Sequence, residues 1–158
     1  MCSITPVPTA LNFAMEERII MGKITAILQA AQQRAKELNL PYEGALYPDE
    51  AYEIQQSAPG AKLVDVRSRA ELDWVGGLPG ATAIEWATYP GMKPNPHFID
   101  QLEQQVDKEA LVIFFCRSGV RSHHAAAAAT NAVKGNGGGM SDATTSAHAA
   151  RFSTCFRM

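Results

Sequence analysis

One short segment constrains this chain more than any other part of it. A continuous apolar run, residues 111–115, is rich in β-branched and aromatic residues and is followed at once by Cys116. Such a run is typical of a buried strand. An alanine-rich stretch that follows, residues 125–129, has a strong propensity for helix. The pattern therefore places Cys116 in a turn that leads from a strand into a helix.

A cysteine in such a turn is a candidate nucleophile. Successive backbone N–H groups converge there and the positive end of the helix points at the sulfur, which stabilises a thiolate over a thiol. The guanidinium groups of Arg117 and Arg121 add to that effect. A lone cysteine after an apolar strand is more often a small buried side chain, but a core position would not be followed by two arginines and Gly119. We therefore predict that Cys116 is nucleophilic or carries sulfur.

The composition excludes several other classes of protein. A chain of 158 residues suits one domain with a sizeable core. Its net charge of −2 gives no reason to expect nucleic acid or an anionic membrane as a partner, and no apolar run approaches the roughly 20 residues that span a bilayer. Three scattered cysteines fit neither a disulfide framework nor a zinc site. We expect a cytoplasmic protein without a metal or other cofactor.

The first 41 residues are interpreted as a leader followed by an amphipathic helix. Residues 1–15 show no periodicity, whereas residues 16–38 carry apolar side chains at spacings of three and four. This stripe consists of Ile20, Ile24, Ile27, Leu28, Ala31, Ala35 and Leu38. It could cover the domain's own sheet, or it could bind a partner protein or a second copy. Packing on its own domain is the favoured interpretation.

Residues 42–132 alternate between strand and helix patterns, which indicates an α/β domain with a parallel sheet flanked by helices. In such sheets ligands bind beyond the carboxyl ends of the strands, where Cys116 is predicted to lie. Asp65 and Arg67 end an earlier strand, and we predict that they form a structural ion pair. Trp86 and Tyr89 could line a pocket mouth or cover an edge of the core, and the sequence leaves both open.

Three motifs together make this chain resemble the rhodanese (sulfurtransferase) family, in particular its small single-domain members. The motifs are Leu-Val-Asp-Val-Arg at 63–67 with Glu71 downstream, Gly-Leu-Pro-Gly-Ala at 77–81, and Cys-Arg-Ser-Gly-Val-Arg-Ser at 116–122. Gly77 departs from the histidine that is common in the family. The resemblance covers residues 42–132 and implies a rhodanese-like domain there.

The chain departs most from the resemblance after residue 132. Family members usually continue with a further strand and a Gly-Gly-x-x-x-Trp helix. Residues 133–158 instead begin with a glycine-rich stretch that has no periodicity. We predict an atypical, disordered tail that lacks the usual last strand and helix.

The resemblance implies a sulfurtransferase that uses a covalent persulfide. The Cys116 thiolate would attack the outer sulfur of thiosulfate or another donor, and a thiophilic acceptor such as cyanide or a thiol would then remove it. Arg117 and Arg121 would attract the small anionic donor, although Arg121 could instead face inward and brace the loop. Backbone N–H groups of the loop would stabilise the transferred sulfur, those of Arg117, Ser118, Gly119, Val120, Arg121 and Ser122.

Other functions remain open from the sequence. The chain could be a persulfide carrier or a non-catalytic interaction module that docks a partner through its N-terminal helix, or an inactive chain destabilised by its tail. A cysteine phosphatase or arsenate reductase ranks well behind. Cysteine phosphatases use Cys-x5-Arg, whereas Cys116 and Arg121 give Cys-x4-Arg and a smaller loop.

Overall fold

The computed structural model describes residues 10–107, 109–135 and 151–155. Helices and strands alternate along most of that part of the chain. In chain order the elements are α1 (Ala10–Glu37), β1 (Gly44–Leu46), α2 (Pro48–Ser57), β2 (Ala61–Asp65), α3 (Arg69–Val75), β3 (Thr82–Ala83), β4 (Ala87–Thr88), β5 (Lys93–Pro94), α4 (Phe98–Gln105), β6 (Leu111–Phe115), α5 (Val120–Gly135) and β7 (Arg151–Cys155).

Five of the strands form one parallel sheet in the order β1-β7-β6-β2-β3. β4 and β5 pair antiparallel in a separate two-stranded sheet. The predicted α/β domain with a parallel, helix-flanked sheet is therefore confirmed. β6 is the central strand, with Phe115 opposite Asp65 of β2. Cys116 directly follows β6. It therefore lies at the middle of the sheet edge that is formed by the carboxyl ends of the strands.

Helices cover both faces of the sheet, which explains the unbroken apolar run in β6. Alternate side chains of a strand point to opposite faces. Phe114 and Cys116 belong to the core cluster that includes residues of α4 and α5, whereas Ile113 and Phe115 belong to the cluster that includes residues of α1 and α2. The cysteine is thus placed on the side of the sheet where α5 packs.

Helix α1 packs against its own domain over its second half. Ala31 and Ala35 are 1% and 3% exposed, and the guanidinium of Arg34 donates hydrogen bonds to the carbonyl of Ala45 in β1 and to the carboxylate of Glu50 in α2. This part of the stripe packs on its own domain, as the favoured interpretation predicts, whereas Ile20 and Leu38 at its two ends are 42% and 59% exposed. The helix begins at Ala10, so residues 10–15 are helical and do not belong to an irregular leader.

The prediction of a tail without a last strand is wrong, because residues 151–155 form β7 between β1 and β6. Ser153 lies opposite Ile113 on one side, and Thr154 lies opposite Ala45 on the other. A strand inserted between two others forms backbone hydrogen bonds along both of its edges. The partners of β7 are β1 and β6, which are distant in sequence, so the local pattern of residues 151–155 did not indicate a strand. Helix α5 also extends to Gly135. The predictions of a disordered tail and of a missing last helix also concern residues 136–150 and 156–158, which lie outside the described residues.

Within the described residues, no helix is both long enough and apolar enough to cross a membrane.

Candidate active site

Cys116 lies in a tight connection between β6 and α5. The helix begins at Val120, so only residues 117–119 separate it from the cysteine, and Arg121 and Ser122 belong to its first turn. Gly119 has φ +87°, a left-handed conformation that strains any residue with a Cβ atom. The glycine therefore allows the chain to turn sharply from the strand into the helix while the cysteine stays buried at 1% exposure.

Backbone and side-chain donors of the connection converge on the Cys116 sulfur. Sγ accepts hydrogen bonds from the Gly119 N–H at 3.2 Å and from the Ser122 N–H at 3.5 Å. It also lies 3.6 Å from the Ser122 Oγ, which in turn is 3.0 Å from the Gly119 carbonyl oxygen. A hydroxyl has one proton and two lone pairs, so Ser122 can accept from the thiol or turn and donate to the thiolate.

These donors favour the thiolate form of Cys116. Burial by itself raises the pKa of the thiol, because it penalises the charged form. Hydrogen bonds from the backbone and hydroxyl of Ser122, and from the backbone of Ser118 and Gly119, outweigh burial, so that the pKa of Cys116 falls below its ordinary value. The thiolate is the nucleophilic form of cysteine, so the direction of this pKa shift favours a nucleophilic sulfur.

The second arginine of the motif faces the protein. Arg121 forms a two-point ion pair with Glu71 of α3, with Nη1 2.5 Å from Oε2 and Nη2 2.8 Å from Oε1. The Arg121 side chain is only 15% exposed. The sequence left open whether Arg121 attracts the donor or faces inward and braces the loop. The ion pair with Glu71 corresponds to the second role, because it links the cysteine connection to α3.

Glu71 is itself held in place by the start of α3. Its Oε2 accepts hydrogen bonds from the Ser68 N–H at 3.0 Å and the Ser68 hydroxyl at 2.9 Å. Hydrogen bonding to Arg121, and then to Ser68, lowers the pKa of Glu71 to about 2 although burial opposes it. Sequence reasoning assigned Glu71 no role. The signal was available, because Ser-x-x-Glu before a helix is a capping box.

Asp65 and Arg67 form a second buried ion pair. The Arg67 Nη2 is 2.6 Å from the Asp65 Oδ2 and 3.0 Å from the carbonyl oxygen of Gly76, and the two side chains are 8% and 2% exposed. Hydrogen bonding to Asp65 raises the pKa of Arg67. The predicted structural role of this pair agrees with its geometry, because it joins the end of β2 to the end of α3.

Arg117, by contrast, points away from the fold. Its side chain is exposed, and it has no ion-pair partner within residues 10–107, 109–135 and 151–155. Ser118 is likewise exposed, and Val120 is 60% exposed. Of the predicted substrate-contacting side chains, Arg117 alone offers an unpaired positive charge at the surface of the connection.

The two aromatic residues that the sequence left open, Trp86 and Tyr89, take different positions in the structure. Trp86 is half-buried and packs edge-on against Phe98 with ring centres 5.0 Å apart, so it covers an edge of the core. Tyr89 is 57% exposed and meets Trp74 of α3 edge-on at 5.8 Å, so this pair lies at the surface. Among the residues that the structure describes, no group of three or more His, Cys, Asp or Glu side chains could hold a metal ion.

The comparison with family models agrees with the three motifs at 63–67, 77–81 and 116–122. The family model for the rhodanese-like domain matches residues 47–145, more than half of the chain. Among solved structures, the chain is similar to Rv0390 from M. tuberculosis, with 37% sequence identity, a TM-score of 0.48, and coverage of 58% of this chain and 71% of that one. No curated protein matches the chain.

Proposed function

Because the chain belongs to the family of rhodanese-like domains, we propose that it is a sulfurtransferase that carries sulfane sulfur as a persulfide on Cys116. The substrate would be a small sulfur donor, either thiosulfate or another compound with sulfane sulfur, and the acceptor would be a thiophile. The observation that carries this proposal is the set of donors around Sγ. Gly119 and Ser122 lower the pKa of a cysteine that burial alone would leave as a thiol.

The geometry of the connection supports the following reaction as part of this proposal. With thiosulfate as the donor, the Cys116 thiolate attacks the outer sulfur, the sulfur–sulfur bond of the donor breaks, and sulfite leaves with the electron pair. The negative charge then resides on the outer sulfur of Cys116–S–S⁻. N–H groups at the start of α5 stabilise that charge, as they stabilise the thiolate before it. Cyanide or a thiolate attacks the outer sulfur and regenerates Cys116.

The arginines divide their roles in this scheme. Arg121 holds the connection closed through Glu71, and Arg117 attracts the donor from solvent. A phosphatase reaction is disfavoured by the same arrangement. The motif arginine that would have to bind a phosphate already forms a two-point ion pair with a carboxylate.

The proposal is tested by steady-state formation of thiocyanate from cyanide, with thiosulfate and an organic persulfide as alternative donors. We expect turnover by the unmodified protein and by a Cys2→Ser variant, and none above background by Cys116→Ser. The two variants make the same chemical change at different cysteines. Turnover that survives in Cys116→Ser, or that is lost equally in both variants, would refute the assignment.

A further inference from the structure

The first half of α1 exposes apolar side chains on the face that points away from the domain. Ala31 and Ala35, in the second half of the helix, are buried and mark the face that packs on the domain. At 3.6 residues per turn, Met15 and Ile19 lie on the opposite face, and they are 58% and 67% exposed. A surface helix normally carries polar residues there. The outward face of α1 therefore departs from the pattern of a helix that meets only water.

This outward face contains a continuous stripe with the spacing of a coiled-coil seam. Its residues, Met15, Ile19, Gly22 and Ala26, follow one another at spacings of four, three and four, and all are exposed. A Cβ atom at Gly22 would meet nothing within 4 Å, so the described part of the chain leaves the middle of the stripe open. The next position in the same spacing is the polar Gln29. We call residues 15–26 of this face the outer seam.

The sizes of the side chains in the outer seam fit a second copy that runs in the opposite direction. In an antiparallel pair, Met15 lies opposite Ala26 of the second copy and Ile19 lies opposite Gly22 of the second copy, and symmetry repeats both contacts. Each large side chain then meets a small one, which fills the space between the helices. A parallel pair would place Ile19 on Ile19 and Gly22 on Gly22, with crowding at one level and a gap at the next. Antiparallel helix dipoles also attract each other.

The charges that flank the outer seam favour the same direction. Glu16 and Lys23 border it on one side, and Arg18 and Thr25 border it on the other. In an antiparallel pair, residues of the same flank meet, so Glu16 lies opposite Lys23 of the second copy. In a parallel pair, opposite flanks meet, and Arg18 would face Lys23 of the second copy with a like charge. Lys23 already pairs with Glu53 at 2.6 Å, but both side chains are exposed, and such a pair contributes little.

We propose that the outer seam of α1 is a self-association surface, on which a second copy of this chain packs antiparallel about a two-fold axis. The same patch serves both copies, as in other two-fold symmetric dimers. The seam is only three helical turns long, so the contact is small and the dimer is weak. Helix α1 belongs to the face of the sheet that carries Ile113 and Phe115, whereas Cys116 belongs to the other face. The dimer therefore leaves the cysteine connection free.

Sedimentation equilibrium of the full chain tests the proposal, with a reductant present so that disulfides do not link the copies. We expect the average mass to rise from monomer toward dimer between about 10 µM and about 1 mM, the range of a weak association. Ile19→Glu places a carboxylate in the seam and should raise the dissociation constant on the order of tenfold or more. Val75→Glu is the matched control, because Val75 is a β-branched residue on α3 that is 74% exposed. It should leave the dissociation constant unchanged.

Reversing the flanking charges tests the direction of the two helices. Glu16→Lys places a lysine opposite Lys23 of the second copy and should raise the dissociation constant by about threefold to tenfold. The double variant Glu16→Lys, Lys23→Glu restores opposite charges across the antiparallel pair and should recover most of the affinity. Circular dichroism melts of each variant show whether the domain remains folded. All of these positions are exposed, so we expect cooperative melts in every case.

Each outcome bears on one part of the proposal. A chain that stays monomeric over the whole concentration range would overturn it and leave the seam to another kind of partner or to solvent. A dimer that Ile19→Glu and Val75→Glu affect equally would place the interface elsewhere. A double charge variant that remains as weak as Glu16→Lys would refute the antiparallel arrangement. None of these results depends on sulfur transfer, so this inference and the proposed function stand or fall separately.

Discussion

Glu71 and Arg121 lie 50 residues apart in the chain and form a two-point ion pair, with distances of 2.5 Å and 2.8 Å. The pair joins α3 to the first turn of α5, directly after the connection that contains Cys116. A bidentate arginine–carboxylate pair fixes direction as well as distance. The first turn of α5, which follows the connection that contains Cys116, is thus held by a carboxylate from a different strand–helix unit.

Removing this carboxylate should destabilise the fold measurably. Glu71→Gln leaves a mostly buried guanidinium without its charge partner, and we expect the free energy of unfolding to fall by about 1–3 kcal/mol. Asp73→Asn is the matched control, because Asp73 pairs with Arg69 at 3.2 Å while the two side chains are 59% and 75% exposed. Such a surface pair contributes less than about 1 kcal/mol. Urea unfolding of both variants measures the difference, and equal losses would contradict the role of Glu71 as a brace.

The same pair predicts how stability depends on pH. The pKa of Glu71 is lowered to about 2 in the folded protein, from an ordinary value of 4.5, so the folded state favours the ionised carboxylate. Its contribution is fully present above pH 4.5 and is lost as the pH falls through about 2. The difference in unfolding free energy between the unmodified protein and Glu71→Gln should therefore shrink across that window. A difference that stays constant down to pH 2 would show that the carboxylate is not stabilised by folding.

The hydroxyl of Ser122 should contribute to the lowered pKa of Cys116. Ser122→Ala removes the hydroxyl near Sγ and keeps the backbone N–H, so we expect the pKa of Cys116 to rise and alkylation by iodoacetamide at neutral pH to slow. Ser118 contributes through its backbone alone, and Ser118→Ala should leave the midpoint of the alkylation profile in place. The rate of alkylation against pH measures both. An unshifted midpoint in Ser122→Ala would assign the low pKa to the backbone donors alone.

Two neighbouring alanines test whether α1 belongs to the core. Ala31 is 1% exposed and packs with Leu46 and Ile54, whereas Ala30 is exposed. Ala31→Glu should cost more than about 3 kcal/mol, because it buries a carboxylate without a partner. Ala30→Glu should change stability by less than about 0.5 kcal/mol. Thermal melts followed by circular dichroism compare them, and similar melts would mean that α1 does not pack as described.

Local patterns in the sequence were enough to predict the centre of the domain. The apolar run of β6, the connection at Cys116 and the amphipathic stripe of α1 are all encoded by neighbouring residues. Their patterns indicate burial, although Ile20 and Leu38 at the ends of the α1 stripe are exposed. The polar ending of β2, at Asp65 and Arg67, likewise indicated an ion pair before the structure showed one.

Features that depend on distant partners were not predictable in this way. β1 has three residues, and β7 has a single large apolar residue, Phe152, so neither carries a strand pattern of its own. Their pairing with each other and with β6 makes them strands. The direction of Arg121 was open for the same reason, since Glu71 reaches it only after α3 and α5 are placed side by side. The hydrogen bond of 2.8 Å between Tyr42 and His123 is a further link of this kind.

The central claim is that Cys116 accepts a sulfur atom and gives it up again. Intact mass of the purified protein, before and after a sulfur donor and again after cyanide, tests it most directly, with Cys116→Ser treated in parallel. We predict that the unmodified protein gains one sulfur that cyanide removes, and that the variant gains none. A mass that does not change with thiosulfate or with an organic hydropersulfide, in protein whose circular dichroism melt is cooperative, would contradict the account.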